Sequence, residues 1–344
     1  MERHAAEYVR WFAPELEWKI EYSFGAEPDT FGTMVKSTAA ARVTSAPFMD
    51  RAAGFVAGVP FAHVWWQRVE EFARSTQPTG YFFKVDWSHG LATRLTIYFR
   101  FDPGISPVRL AEGFSHAGYE PGPGSAPSAL SAIVRSEPTV VALRVDAAGD
   151  FHSSAYHFIR GPGDEVSRLL VATGEAFGMP EDVAQAVGAD FDSLYEPGTT
   201  ENGGLYLGAK ASPDMSQAWH RFYIASVSMR RALAFVCTKG AAWDRAEHLG
   251  QLVGSLEPPE LSYVSAGYDS HGIHDWKLYL PLRPRSLKAM PNVAHLPTGE
   301  EIAALFDKPL RRRFVDNRRP TRHGGGRNPS ERGIRPIASD RSRS

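Results

Sequence analysis

The chain has 344 residues, a formal net charge of −1, 43% hydrophobic and 12% aromatic residues, enough apolar mass for two average domains or one large closed architecture. Its one cysteine, Cys237, excludes an intrachain disulfide and any multi-cysteine metal site. No stretch approaches the ~18 apolar residues of a membrane span, and the mixed charges of Met1–Glu7 are not those of a signal peptide, so a cytoplasmic protein without membrane contact is expected.

In chain order, Glu15–Ser23 reads as a first strand, with its partner expected within Thr33–Thr44. Phe61–Ser75 carries Val64, Trp65, Val69 and Phe72 at helical spacing. Tyr81–Trp87 and Ala92–Phe101 form a hairpin around Ser88-His-Gly90, and Pro107–Ala117 returns to a helical pattern. Thr139–Asp146 and Phe151–Ile159 flank the turn signal Ala147-Ala-Gly-Asp150. Asp164–Gly188 is a helical zone broken near Met179-Pro180, followed by the strands Gly204–Ala211 and Trp219–Ser226. Met229–Leu256 is expected to be helical and holds Cys237, which reads as a buried thiol in the apolar run that begins at Ala232. Leu261–Tyr268 and Asp275–Leu282 pair around His271-Gly272, and Thr298–Phe306 makes a last short helix.

The unit is helix, strand, strand, joined by hairpins, which predicts an α+β fold with antiparallel sheet rather than a doubly wound parallel one. Residues 1–310 are expected to form a single domain. From Arg311 onward eleven arginines face only Asp316, Glu331 and Asp340, and apolar periodicity is lost. Residues 311–344 therefore read as a disordered basic tail, and nucleic-acid binding is not expected of it.

The strands alternate strictly. Leu95, Ile97 and Phe99 fall on one face, and Arg94, Thr96 and Tyr98 on the other. If helices cover the apolar faces of a closed sheet, the lumen receives Lys84 and Asp86; Arg94, Thr96 and Tyr98; Arg144; His152, Ser154 and Tyr156; Tyr206 and Lys210; Arg221 and Tyr223; and Lys277 and Tyr279. Small barrels are ordinarily filled with aliphatic side chains. A lumen of cations and tyrosines suggests binding of an anion beside an apolar group. The alternative is an open sheet with one solvated face, on which lysine, arginine and tyrosine are ordinary.

At these residues the chain resembles the ABBA-type aromatic prenyltransferases. Gly267-Tyr-Asp269 leading to Trp276-Lys-Leu-Tyr-Leu280 is similar to a strand pair of that family, and Arg94-Leu-Thr-Ile-Tyr-Phe99 is similar to strands of its indole-prenylating branch, with Thr96 where lysine is usual. Lys84–Gly113 and Leu16-Glu-Trp-Lys-Ile-Glu21 resemble segments of the peptide-modifying cyanobactin branch. The resemblance implies αββα repeats around a ten-stranded antiparallel barrel, helices outside, and transfer of a dimethylallyl or geranyl group from its diphosphate to an electron-rich aromatic small molecule or peptide. It implies diphosphate contacts from Lys84, Arg94, Arg144, Lys210, Arg221 and Lys277, and shielding of the allylic cation by Tyr98, Tyr156, Tyr206, Tyr223 and Tyr279. A base is implied at Glu17 or, second, Glu21, with acceptor contacts from His152 and Trp219. No cofactor is required on this reading, and no metal site is assigned: His271-Gly-Ile-His-Asp275 reads as an exposed turn. A non-catalytic carrier of an aromatic or lipid ligand is the rival, although its pocket should be mostly aliphatic.

Overall fold

The computed structural model describes residues 17–25, 31–36, 45–88, 91–119, 127–211, 218–225, 227–228, 231–232, 234–235, 238 and 263–282. Cys237, the expected helix at Thr298–Phe306 and the 311–344 tail lie outside the described residues.

The strands are β1 (Glu17–Gly25), β2 (Phe31–Lys36), β3 (Gly80–Ser88), β4 (Leu91–Arg100), β5 (Pro138–Asp146), β6 (Phe151–Ile159), β7 (Leu205–Ala211), β8 (Ala218–Ala225), β9 (Tyr263–Asp269) and β10 (Gly272–Leu282). Each hydrogen-bonds its neighbour in sequence antiparallel, and β1 also pairs with β10, so the sheet closes on itself as a barrel. Between strand pairs run α1 (Ser45–Val56), α2 (His63–Thr76), α3 (Pro107–His116), α4 (Pro127–Val134), α5 (Gly163–Ala176) and α6 (Glu181–Leu194).

Local chemistry sets these boundaries. Trp65, Trp66, Val69, Phe72 and Thr76 form the buried stripe of α2, which ends where Gln77 turns left-handed and its N–H reaches the Ala73 carbonyl. Ser106 caps α3, its hydroxyl oxygen accepting from the Arg109 N–H at 3.3 Å, with Pro107 at the first helical position. The β5–β6 turn is tied by Asp146 Oδ1, which accepts from the Ala148 and Asp150 amides at 3.0 and 3.1 Å, while Gly149 takes a φ of 86°. The helical zone at 164–188 divides into α5 and α6, with Pro180 capping the second. Helices α1 and α4 were not expected. Pro47 and Gly54 in α1, and the Pro/Gly-rich approach to the eight-residue α4, mask their periodicity.

Apolar side chains pack on the outside of the barrel, under the helices. One cluster joins Leu95, Ile97 and Phe99 to Phe48, Phe55, Trp65 and Phe72. The second joins Leu207, Phe222, Ile224, Val264 and Leu278 to Leu170, Val187 and Phe191. Each such side chain contributes about 1.5–3 kcal/mol when fully buried. With that face committed to the helices, alternation turns the polar face of strands β3 to β10 into the lumen. His157 follows the outward register: it is buried, 3.4 Å from Ser136 Oγ, away from the lumen.

Candidate active site

The lumen residues form bands that cross the strand ladder diagonally. Phe82, Tyr98, Val140, Tyr156, Tyr206, Tyr223, Tyr263 and Tyr279 line one cavity of about 90 Å³. Their rings touch in sequence: Tyr156 meets Tyr223 edge-on at 5.5 Å, Tyr223 meets Tyr279 at 5.9 Å, Tyr279 meets Tyr263 at 6.3 Å and Tyr263 meets Tyr206 at 6.1 Å. Each ring holds the next, so the girdle is positioned by packing.

Two residues along each strand toward the hairpin turns, the chemistry changes. Beyond Tyr98, Tyr156, Tyr223 and Tyr279 come Thr96, Ser154, Arg221 and Lys277. Beyond Phe82, Val140, Tyr206 and Tyr263 come Lys84, Ala142, Gly208 and Ser265. Small residues thus accompany three cations just past the aromatic girdle. Lys84 and Arg221 are buried, and the Lys277 side chain is 14% exposed.

Each of these cations is held by a carboxylate, two residues further toward the hairpin for Lys84 and Lys277 and level across the ladder for Arg221. Asp275 contacts the Arg221 guanidinium through Oδ1 and Lys277 Nζ through Oδ2 at 3.5 Å, while Arg221 also donates to Ser265 Oγ at 3.2 Å. On the opposing strands, Asp86 takes Lys84 Nζ at 2.9 Å and Arg94 at 3.7 Å. Burial alone lowers the Arg221 pKa, but Asp275 and the nearby tyrosines more than offset it, so the group is held above its ordinary value and stays charged. Burial likewise raises Asp275, and Arg221, Lys277 and His274 overcome that to hold it below the usual carboxylate range. Burial and then Tyr223 push Tyr156 well up, which keeps its hydroxyl neutral.

The structure therefore brings together Lys84, Arg221 and Lys277 with Tyr98, Tyr156, Tyr206, Tyr223 and Tyr279. Arg144, opposite Thr96, is close enough to act electrostatically on Tyr156, whereas the 36% exposed Arg94 stands further toward the hairpin end. Lys210 is placed by backbone alone, opposite Trp219. His152 lies near Asp146 at 3.7 Å, and Trp219 lies under the Arg221 guanidinium at 5.5 Å; neither lines the cavity. Two residues with acceptor roles in the sequence reading are thus at the hairpin end. Register puts Glu21 opposite Tyr279 and Gly32, and Glu17 opposite Lys36. Sequence reasoning missed Phe82, Val140, Tyr263 and Asp275; the two-residue spacing of Asp275 from Lys277 and of Tyr263 from Ser265 was the available signal. Among the described residues no cluster of His, Cys, Asp and Glu is built to hold a metal ion, and no helix is long and apolar enough to cross a membrane.

No family model and no curated protein sequence matches the chain. Solved structures do. AnaPT from Neosartorya fischeri superposes with a TM-score of 0.56 at 8% identity, over 77% of each chain. The 6-dimethylallyltryptophan synthase from Micromonospora olivasterospora, in complex with DMASPP and Trp, gives 0.55 at 12% identity, over 78% of this chain and 81% of that one. A further 6-dimethylallyl tryptophan synthase gives 0.53 at 14%, over 78% and 80%. The chain shares the fold of these three structures. At such identities the likeness establishes the antiparallel α+β architecture and leaves chemistry to the site itself.

Proposed function

We propose that this chain is an aromatic prenyltransferase, its strands and helices arranged as αββα units of a ten-stranded barrel, transferring a dimethylallyl or geranyl group from its diphosphate to an electron-rich aromatic acceptor. The observation that carries the reading is the change of chemistry along the lumen: cations, two of them buried, on one side of a girdle dominated by aromatic rings. Lys84, Arg221 and Lys277 would take the diphosphate in a site where water does not dilute their field. The allylic C1–O bond breaks, and the electron pair leaves with the diphosphate. The five-carbon or ten-carbon cation is then held among the faces of Tyr98, Tyr156, Tyr223 and Tyr279, which attract positive charge. Neutral tyrosines suit this role because a phenolate would capture the cation.

The acceptor ring forms a C–C bond to the prenyl carbon and passes its displaced proton to a carboxylate. Glu21 is the favoured base. Its ladder position opposite Tyr279 supports this, since it stands where girdle and cations meet, whereas Glu17 is four residues away opposite Lys36. The acceptor belongs to the indoles, phenols or aromatic peptide side chains. A pocket built only to carry a lipid has no need of three cations beside it, two of them buried, so the carrier reading is the weaker.

The test is product formation from dimethylallyl and geranyl diphosphate with a panel of indoles, phenols and aromatic peptides, in EDTA and with added Mg²⁺, read by mass spectrometry. Wild type and a chain ending at Leu310 are expected to turn over alike, because residues 311–344 are proposed to be dispensable. Glu21→Gln should lower kcat by about 10²–10⁴-fold, with Glu17→Gln close to wild type. Absence of product from every acceptor, together with no binding of either donor's thiolodiphosphate analogue, would remove the proposal.

A further inference from the structure

Asp275 is placed strangely for a site that is to receive an anion. It straddles two cations from different strands, Arg221 on β8 and Lys277 on β10, with one carboxylate oxygen toward each. Between those strands the intervening residue of β9 is Gly267, the ladder partner of both Arg221 and Asp275. A methyl group at Gly267 would overlap the Arg221 guanidinium and an Asp275 oxygen together. The ion pair fills the space of an absent side chain, so it is packed in place. Asp275 lies level with Arg221 across Gly267 and two residues beyond Lys277 on the side away from the aromatic girdle, so its pull holds Arg221 from the side and Lys277 from behind. The other wall repeats the device: Asp86 lies two residues beyond Lys84 on the same strand and holds Lys84 and Arg94.

Resting on the diphosphate reading above, we propose that Asp275, with Asp86 as its counterpart, is a resident counter-ion of the diphosphate site. It is a positioning residue that aims Arg221 and Lys277 and also competes with the ligand for them. Two buried cations with no counter-ion would hold a polyanion too tightly to release it. A fixed carboxylate between them lowers the charge the ligand meets while keeping the donors oriented. Replacing the carboxylate by its amide keeps the shape and an acceptor oxygen but deletes the competing charge. Buried cations left short of an anion destabilise the empty protein, and an incoming anion recovers that loss.

The experiment uses the full chain and inorganic diphosphate as the probe, with calorimetry for affinity, inhibition of turnover for release, and thermal melts for the empty protein. Asp275→Asn is expected to lower the melting temperature, bind diphosphate about tenfold tighter, and lower kcat and donor KM together as product release slows. Asp86→Asn, on the other wall, should shift affinity in the same direction and serves as the second variant if Asp275→Asn folds poorly. Unchanged or weaker diphosphate binding in both amide variants, with wild-type binding lost in Lys277→Ala, would overturn the counter-ion role alone. If wild type and all variants fail to bind diphosphate, the diphosphate site itself is wrong and the counter-ion role falls with it.

Discussion

The packing of the girdle gives a sharp test through Gly208→Ala. Gly208 lies opposite Arg221, and a methyl group there would meet Cδ1 and Cε1 of Tyr156 at 2.8 and 2.9 Å and the Ala155 carbonyl at 3.1 Å. Carbon atoms settle at about 3.5–4.0 Å, so the ring has to retreat by roughly 0.7 Å. Tyr156 is buried against Tyr223, and its retreat runs into the cavity both rings line. Overpacking of this kind costs about 1–3 kcal/mol. The same substitution narrows the unfolded ensemble and returns about 0.4–1 kcal/mol. Sterics therefore win, by a net of about 0.5–2 kcal/mol, and calorimetric melts should show a midpoint lower by roughly 1–6 °C. Affinity for the donor analogue should fall with it, because the cavity is smaller. In a Tyr156→Leu background the clash is gone and Gly208→Ala should become neutral or stabilising. A variant that melts at or above wild type in the Tyr156 background, or strictly additive effects in the four-member cycle, would show that the ring does not pack over Gly208.

The outer face of the barrel makes two further predictions. Burial holds His157 at a pKa of about 4 and His220 at about 3, below the ordinary 6.5. Below pH 6.5 the unfolded chain binds protons the folded chain refuses, so stability falls by about 1.4 kcal/mol per pH unit for each histidine and levels off only below those depressed values. Urea midpoints between pH 7 and 5 should show this slope, roughly halved in His220→Leu; an unaltered slope would rule it out. Tyr268 donates to Asp190 Oδ2 at 2.9 Å between β9 and α6, both groups buried. Tyr268→Phe leaves that carboxylate short of a donor, at about 1–3 kcal/mol, and should lower the melting temperature without changing donor affinity; a simultaneous loss of binding would mean that the two faces of the sheet are coupled.

The faces of these strands were legible in the sequence and their levels were not. Alternation in Arg94–Phe99 already assigned Leu95 and Ile97 to the helices and Thr96 and Tyr98 to the lumen, since a period of two has only two outcomes. Which lumen residues share a height is a different matter, set by the stagger between strands in a closed sheet. Arg94, Tyr98, His152 and Tyr156 look equivalent in the chain, yet Tyr98 and Tyr156 line the cavity while Arg94 and His152 stand at the hairpin end. The ladder through β5 pairs Thr96 with Arg144 and Arg144 with His152, while Tyr156 faces Val140, a stagger that no single strand displays. The same limit hid Asp275. Its two-residue distance from Lys277 was visible, but its partner Arg221 is 54 residues away and meets it across the gap at Gly267. The sequence of each strand therefore specifies what kind of side chain enters the lumen, and the order of strands specifies which of them act together. A site built from single residues on many strands is unreadable until the ladder is known, even when every strand that builds it can be read.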